Sequence, residues 1–503
     1  MNARLARLGA VSLLTLAMAG CGALGPEYAV PGDAAVRQPA ARAAFLGAQE
    51  ASFRREEPPG RWWHLYDDPR LDTLVEDALA RNASLRQAAA NLARAQAVAD
   101  EAGAQQSAQV GVDASPTYGH ASGVQVLQPG ARPANRWRYS GGISVSYQLD
   151  LYGQIQRAIE AAQDDAQAAQ AAYDATRVAV AAHTVDAYAQ LCGAGLQLAS
   201  ARHSLALQQD SLDMVEQLAR AGRGTALDVS RARSQAAQLK AALPPLLAQQ
   251  RIALYQLAAL SGKAPAEMPA ALAECDAAPR LAQALPVGDG ASLLRRRPDI
   301  RRAERTLAGA TARIGVATAD LYPRISLGLS AGSAGPATLI GERGTFSLSA
   351  GPLISWTIPN TGAAQARIAQ AEAGAQAALA AFDQTVLDAL KETESALTRY
   401  ARQIDRVAAL AEARDDAKLA ATQARTLFGH GKIDALQALD ADRTLAATES
   451  ALADAQVRRS TAEIGVFLAL GGGWEDSAPG QAGKAARAAA ALPGPGVNRS
   501  GSL

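Results

Sequence analysis

From Arg136 to Gly153 the chain alternates. Trp137, Tyr139, Ile143, Val145, Tyr147, Leu149 and Leu151 hold one phase, with Gly141 as the gap, while Arg138, Ser140, Gly142, Ser144, Ser146, Gln148 and Asp150 hold the other. Successive side chains of a strand point to opposite faces, so the pattern predicts a ribbon over 137–152 with one greasy and one wet face. A membrane β-barrel asks for such a strand, and a half-buried strand of a soluble sandwich gives the same pattern. Val110, Val112, Ala114, Pro116 and Tyr118 alternate too, predicting a strand over 109–119, and a loop from Gly119 to Asn135 makes the pair a hairpin. The motif recurs further on. Ile325, Leu327, Leu329 and Ala331 predict a strand over 323–332, and Phe346, Leu348, Ala350, Pro352, Ile354, Trp356 and Ile358 predict one over 345–358.

Between the hairpins the period changes. Leu71, Leu74, Val75, Ala78 and Leu79 are spaced by threes and fours, giving a helical face after Asp68-Pro69, and alanine-rich helix continues to about Gln106. Residues 154–221 contain no proline and only the glycines Gly193 and Gly195. A continuous helix of that length spans on the order of 100 Å. A turn is expected around Gly222, then a returning helix that Pro244-Pro245 interrupts and that resumes to about Leu260. Gly153 and Gly362 open equivalent runs 209 residues apart, and the same offset matches Tyr173 with Phe382, Ala187 with Ala396, Gly222 with Gly431 and Leu227 with Leu436. The chain is a tandem duplication. A first repeat covers 67–262 (hairpin 109–119 and 137–152, helical hairpin 154–260). A proline- and alanine-rich linker covers 263–290. A second repeat covers 291–473 (hairpin 323–332 and 345–358, helical hairpin 362–470), and the tail 474–503 is expected to be disordered.

Four amphipathic strands cannot close a barrel, since the smallest single-chain membrane barrels need about eight. An open sheet in lipid leaves unpaired edges that cost several kcal/mol per exposed group. Identical subunits must therefore share the barrel, two giving a filled interior and three a lumen. Alanine lets the helices approach closely. The recurring Gln, Asp and Arg suit a water-filled interior, although a solvated outer face looks identical.

Composition adds the setting. With 503 residues and a net charge of +1, nothing in the charge balance calls for nucleic acid. Arg4 and Arg7 precede an apolar run from Ala10 to Ala19, which suits a signal peptide over 1–20 and falls short of the roughly twenty residues of a spanning helix. Small residues then run into Cys21, resembling a bacterial lipobox, so that Cys21 is expected to carry a covalent lipid at the head of a tether over 21–66. An ordinary signal peptide that happens to carry a cysteine is the alternative. Cys192 and Cys275 lie far apart and are expected to be free thiols. Trp62, Trp63 and Tyr66 are expected to anchor the entry segment.

Chemistry is scarce. The five histidines lack metal-ligand spacing, and no CxxC exists. Gly328-Leu-Ser330-Ala-Gly332 fits a nucleophile elbow, which needs a strand running straight into a helix; Ser330 instead falls on the polar phase of an alternating strand. No enzyme, no metal and no cofactor beyond the lipid on Cys21 are expected.

Several segments carry a resemblance. Leu293-Leu-Arg-Arg-Arg-Pro298-Asp299-Ile-Arg-Arg-Ala303-Glu304, Ile314–Ala317 with Leu321–Leu327, Gly25-Pro26-Glu27-Tyr28 with Pro31, Leu439–Arg443 and Ala469–Trp474 resemble signatures of the TolC-like outer-membrane factors, in their NodT- or OprM-like lipoprotein branch. The resemblance covers nearly all of 21–474. It implies a homotrimer whose twelve-stranded outer-membrane β-barrel continues into a periplasmic α-helical barrel. It also implies partners: a periplasmic adaptor and an inner-membrane transporter, most simply of the RND type. The function implied is a passive efflux conduit for drugs or other small molecules, anchored in and spanning the outer membrane. The rival from a different class is a periplasmic adaptor lipoprotein, which carries one helical hairpin where this chain has two.

The resemblance also implies a gate at the helix ends farthest from the barrel, the turns around Gly222 and Gly431. Asp228, Asp440 and Asp434 are candidates for rings of carboxylates, and Phe428 stands at the place of a tip aromatic. Three carboxylates around an axis repel, recruiting cations or raising their pKa values. A plainer role, capping the helix starts, is open to Asp228 and Asp434. Where the family's type member has a basic residue, two beyond the tip glycine, this chain has Ile433.

Overall fold

A computed structural model describes residues 23–472 apart from 125, 126, 128, 357, 359 and 360. The signal peptide, Cys21 and the tail 474–503 lie outside the described residues. In chain order the elements are β1 (Phe53–Arg54), α1 (Pro69–Arg81), α2 (Ala83–Ala104), β2 (Gln109–Gly119), β3 (Arg136–Leu149), α3 (Gln154–Arg220), α4 (Ala226–Ala241) and α5 (Leu243–Leu260). They continue with β4 (Leu285–Pro286), α6 (Gly290–Arg296), α7 (Pro298–Ala319), β5 (Arg324–Pro336), β6 (Phe346–Ser355), α8 (Thr361–Gly429) and α9 (Ala435–Ala469). The helical bounds follow local chemistry. Asp68 accepts from the Arg70 amide with Pro69 at the first helical position, and Asn82 accepts from the amides of Ser84 and Leu85 to start α2. Proline-free runs give α3 67 residues and α8 69.

The compact units cut across the two repeats. One contains residues up to Pro31, Arg94–Ala168 and Ala303–Phe382; the other contains Gly32–Ala93, Ala169–Arg302 and everything from Asp383. Each draws on both halves of the duplication.

The first unit holds a four-stranded antiparallel sheet in the order β2-β3-β5-β6. Its register sorts the alternation into two continuous faces. Val110, Val145, Leu329 and Ala350 form one cross-strand row; Val112, Ile143, Ala331 and Leu348 form the next. On the other face, Gly111, Ser144, Ser330 and Ser349 line up, and Asp113, Gly142, Gly332 and Ser347 beside them. Ser330 and Ser349 share a 2.8 Å hydroxyl hydrogen bond across the wet face. Leu353, opposite Ser326, is an apolar intruder on the wet face. The greasy face is bare, with Val112 76% and Leu348 77% exposed. Aromatic pairs mark both ends of the sheet: Tyr118 with Trp137 at one, and Tyr152 stacked on Tyr322 at 4.6 Å near the other. β5 runs four residues past its expected end, because Ser333, Ala334 and Gly335 are small enough to continue the ladder opposite β3.

The second unit has the main core. Trp62 is fully buried and stacks on Phe467 at 4.4 Å, with Trp63 and Tyr66 edge-on to it, as the entry cluster predicted. Leu71, Val75, Tyr188, Leu191, Leu257, Leu293 and Leu397 complete it. Two arginines of the Leu293–Glu304 signature make buried structural contacts. Arg296 donates to the carbonyls of Pro58 and Pro59, and Arg297 joins Asp299, Glu392 and the Ala469 carbonyl at the end of α9.

Three expectations change here. The tether is docked rather than free: from residue 32 it folds in short helical turns, buries Phe45 and Phe53, and pairs β1 with β4 in parallel. The linker supplies β4 and the buried Met268 and Leu272, so it too is part of the core. Finally, Cys192 and Cys275 are not free thiols: they form a disulfide across 83 residues of sequence. Folding brings the linker against α3 so closely that a side chain on Gly195 would meet the Cys275 carbonyl oxygen at 1.9 Å. Sequence distance says nothing about such a contact.

Candidate functional site

The far ends of the long helices, all in the second unit, are built twice from one plan. α3 stops at Gly222, whose φ of +71° is left-handed, and α8 stops at Gly431 with φ +69°. The amide of Gly222 donates to Ala219 and that of Arg223 to Leu218; Gly431 and Lys432 do the same to Phe428 and Leu427. Both are Schellman closures, in which glycine takes the conformation other residues resist. The returning helices are capped at matching positions. Thr225 accepts from the Asp228 amide, and Asp228 accepts from the Thr225 amide and hydroxyl. In the second repeat Asp434 takes the threonine's place and accepts from the Gln437 amide at 2.8 Å. Hydrogen bonds from Thr225 hold the Asp228 carboxyl below its usual range.

Asp228 and Asp434 thus each bind their own helix start. Asp440 is exposed on α9, with its carbonyl accepting from Thr444, and Phe428 is half-buried. Leu227 and Leu436, related by the repeat, project 57% and 49% exposed beside the two turns.

A buried carboxylate that the motif did not single out lies two residues past Asp440. Asp442 accepts from Arg425 Nε at 2.8 Å and from Ser211 Oγ at 2.7 Å, joining α3, α8 and α9. Its side chain is 6% exposed. Two turns further along, Ser204 donates to Glu449 at 2.9 Å. Both contacts step by seven residues on both helices, so α3 and α9 run antiparallel in heptad register. Serines at 204 and 211 against carboxylates at 442 and 449 were the available signal.

Residues 74–263 and 291–472 match the family model for outer membrane efflux proteins, and the chain belongs to that family. It is an outer-membrane efflux channel that extends into the periplasm. Among its relatives, OprJ of Pseudomonas aeruginosa is 32% identical over 82% of this chain and 86% of its own. The cation efflux system protein CusC of Escherichia coli O6:H1 is 29% identical over 92% of this chain and 98% of its own. The solved outer-membrane channel OprN superposes with a TM-score of 0.83 at 37% identity, covering 90% of this chain and 99% of that one. By name these relatives are an outer membrane protein, a cation efflux system protein and an outer-membrane channel.

Proposed function

We propose that three copies of this chain pair β2 of one with β6 of the next into a twelve-stranded barrel, forming the outer-membrane conduit of a tripartite pump. The observation that carries this is the sheet itself: both edges are open and one face is mostly apolar. Lipid tolerates neither open edges nor a half-barrel, and a ring of twelve strands satisfies every group while leaving a wet lumen. Cys21 carries the lipid anchor in this reading. The first described residue, Ala23, lies against Gly153 where β3 gives way to α3, and the Leu24 amide donates to the Tyr152 carbonyl. Ala23 and Leu24 thus sit at the junction of strands and helices, which supports a lipid on Cys21, two residues earlier, that reaches the bilayer.

The tips form the gate. Three Asp440 carboxylates, with those of Asp228 and Asp434, would surround one axis, and the Ser211–Asp442–Arg425 cluster holds the hairpins closed around it. A periplasmic adaptor, working with an RND-type transporter, docks on the exposed Leu227 and Leu436 and opens it. Exported small molecules then pass without any bond being made or broken.

The test is a purified, full-length protein run unheated and heated in SDS, together with planar-bilayer conductance. A heat-dissociable trimer whose conductance rises in Asp228→Ala and Asp440→Ala is expected. A monomer overturns the shared barrel; unchanged conductance and cation selectivity in those variants remove the two aspartates from the gate.

A further inference from the structure

Asp320, between α7 and β5, gathers three donors at the helix end of the sheet. Gln154 Nε2 reaches it at 2.9 Å, Arg324 at 2.8 Å and Arg367 at 3.0 Å. Two guanidiniums share one carboxylate, so the cluster keeps one positive charge in excess. Both arginines leave 58% of their side chains exposed. Burial works against charge on Asp320, but hydrogen bonds from Arg324, Arg367 and Gln154 outweigh it, and its pKa is lowered. The carboxylate therefore remains charged as the arginines' anchor.

A cavity of about 260 Å³ opens beside this cluster, with Tyr322, Ser355, Trp356 and Ile358 among its walls. Trp356 and Ile358 continue the greasy phase of β6 beyond its last paired residue and are 56% and 65% exposed. Thr361, at the start of α8, lines it as well, so a long helix directs its positive end there. One wall is cationic and rich in donors; the other is aromatic and aliphatic. Guanidinium forks match phosphate oxygens bidentately, and Trp and Tyr rings settle at the level of lipid headgroups.

We propose that this cavity binds the phosphodiester headgroup of a membrane phospholipid, with Arg324 and Arg367 on the phosphate and Trp356 and Ile358 against the start of the acyl chains. This rests on the sheet lying in the outer membrane, and the membership of the family already places it there.

The test is native mass spectrometry of the full-length protein titrated with phosphatidylglycerol, with inorganic phosphate as the soluble competitor. Arg324→Gln and Arg367→Gln should each weaken lipid retention roughly tenfold, the loss of one charge-assisted contact. Asp320→Asn frees both guanidiniums and should strengthen retention; a purely structural cluster would lose it in all three variants, and that outcome overturns the site. Equal retention in every variant overturns it also. Displacement by excess inorganic phosphate overturns the lipid assignment in favour of a soluble anion. Retention unaffected by phosphate, with the opposite responses of the arginine and aspartate variants, supports it. The SDS-resistance of the oligomer, read in parallel, reports on the shared barrel separately.

Discussion

Arg425 and Asp442 face each other across the second helical hairpin, Nε to carboxylate oxygen at 2.8 Å, and Ser211 of the first hairpin completes the carboxylate's partners. Removing one partner of such a contact leaves the other unsatisfied, at a cost of about 1–3 kcal/mol. Asp442→Asn and Arg425→Gln should raise single-channel conductance in planar bilayers, and Ser211→Ala should raise it less. Since all three residues form one unit, the Asp442→Asn/Arg425→Gln pair should do little more than either alone. Wild-type conductance in Asp442→Asn would separate this cluster from the closed state.

Gly222 and Gly431 have open space around them, so only their left-handed backbone demands glycine. Alanine at either should cost about 1–2 kcal/mol. Gly374, inside α8 and equally unobstructed, should behave oppositely: alanine there gains about 0.5–1 kcal/mol. Thermal melts followed by circular dichroism distinguish the two. A tip alanine that raises Tm contradicts the assigned turn geometry.

The Cys192–Cys275 bridge closes a loop of 83 residues. Loops of that size stabilise by about 4.5 kcal/mol in the chain-entropy account. Replacing both cysteines by alanine should lower the melting temperature markedly, and the denatured, unreduced wild type should show no reactive thiol at either position. Gly195→Ala should be comparably damaging, because its new methyl would press into the Cys275 carbonyl.

Glu463 is 1% exposed and accepts from the Tyr400 hydroxyl at 2.8 Å and the Leu281 amide at 3.3 Å. Burial raises its pKa despite the hydrogen bonds from the Tyr400 hydroxyl and the Leu281 amide. The folded state thus binds this proton more tightly than the unfolded chain. The associated stability is fully present below the unfolded value and is lost as pH rises through the folded one. Glu463→Gln, which stays neutral, should gain on the wild type from acid towards neutral pH. A Tm difference that is flat across that range would show that the carboxylate does not titrate there.

The period-two segments fixed more than strand positions: because the central rows of the sheet pair like with like, their phase also gave the faces. The offset of 209 residues found both tips, and Thr225 and Asp434 show why, since equivalent turns need equivalent caps. Other features had no local signature. Asp440 and Asp442 both sit in the Leu439–Arg443 motif, and only packing decides that the second is buried while the first faces outward. Phe45 and Phe53 were hidden in a stretch whose Gly, Pro and charge suggest a loose connector, yet both rings are buried in the core and the amides of Ala35, Leu46 and Gly47 donate to Asp383 and Glu394. Leu353 breaks its own alternation, which no neighbour in sequence explains.

The disulfide also fixes a mechanical point. Cys192 lies within α3, and the linker to which it is bonded is held in turn by Ser460 and Glu463 of α9, so the helix is clamped there as at a fulcrum. Beyond it the run to Gly222 is a lever of about 45 Å, and a tilt of about 5° carries its end through about 4 Å. In the gate proposed above, such a tilt would widen the tips, and reducing one covalent bond would move the pivot.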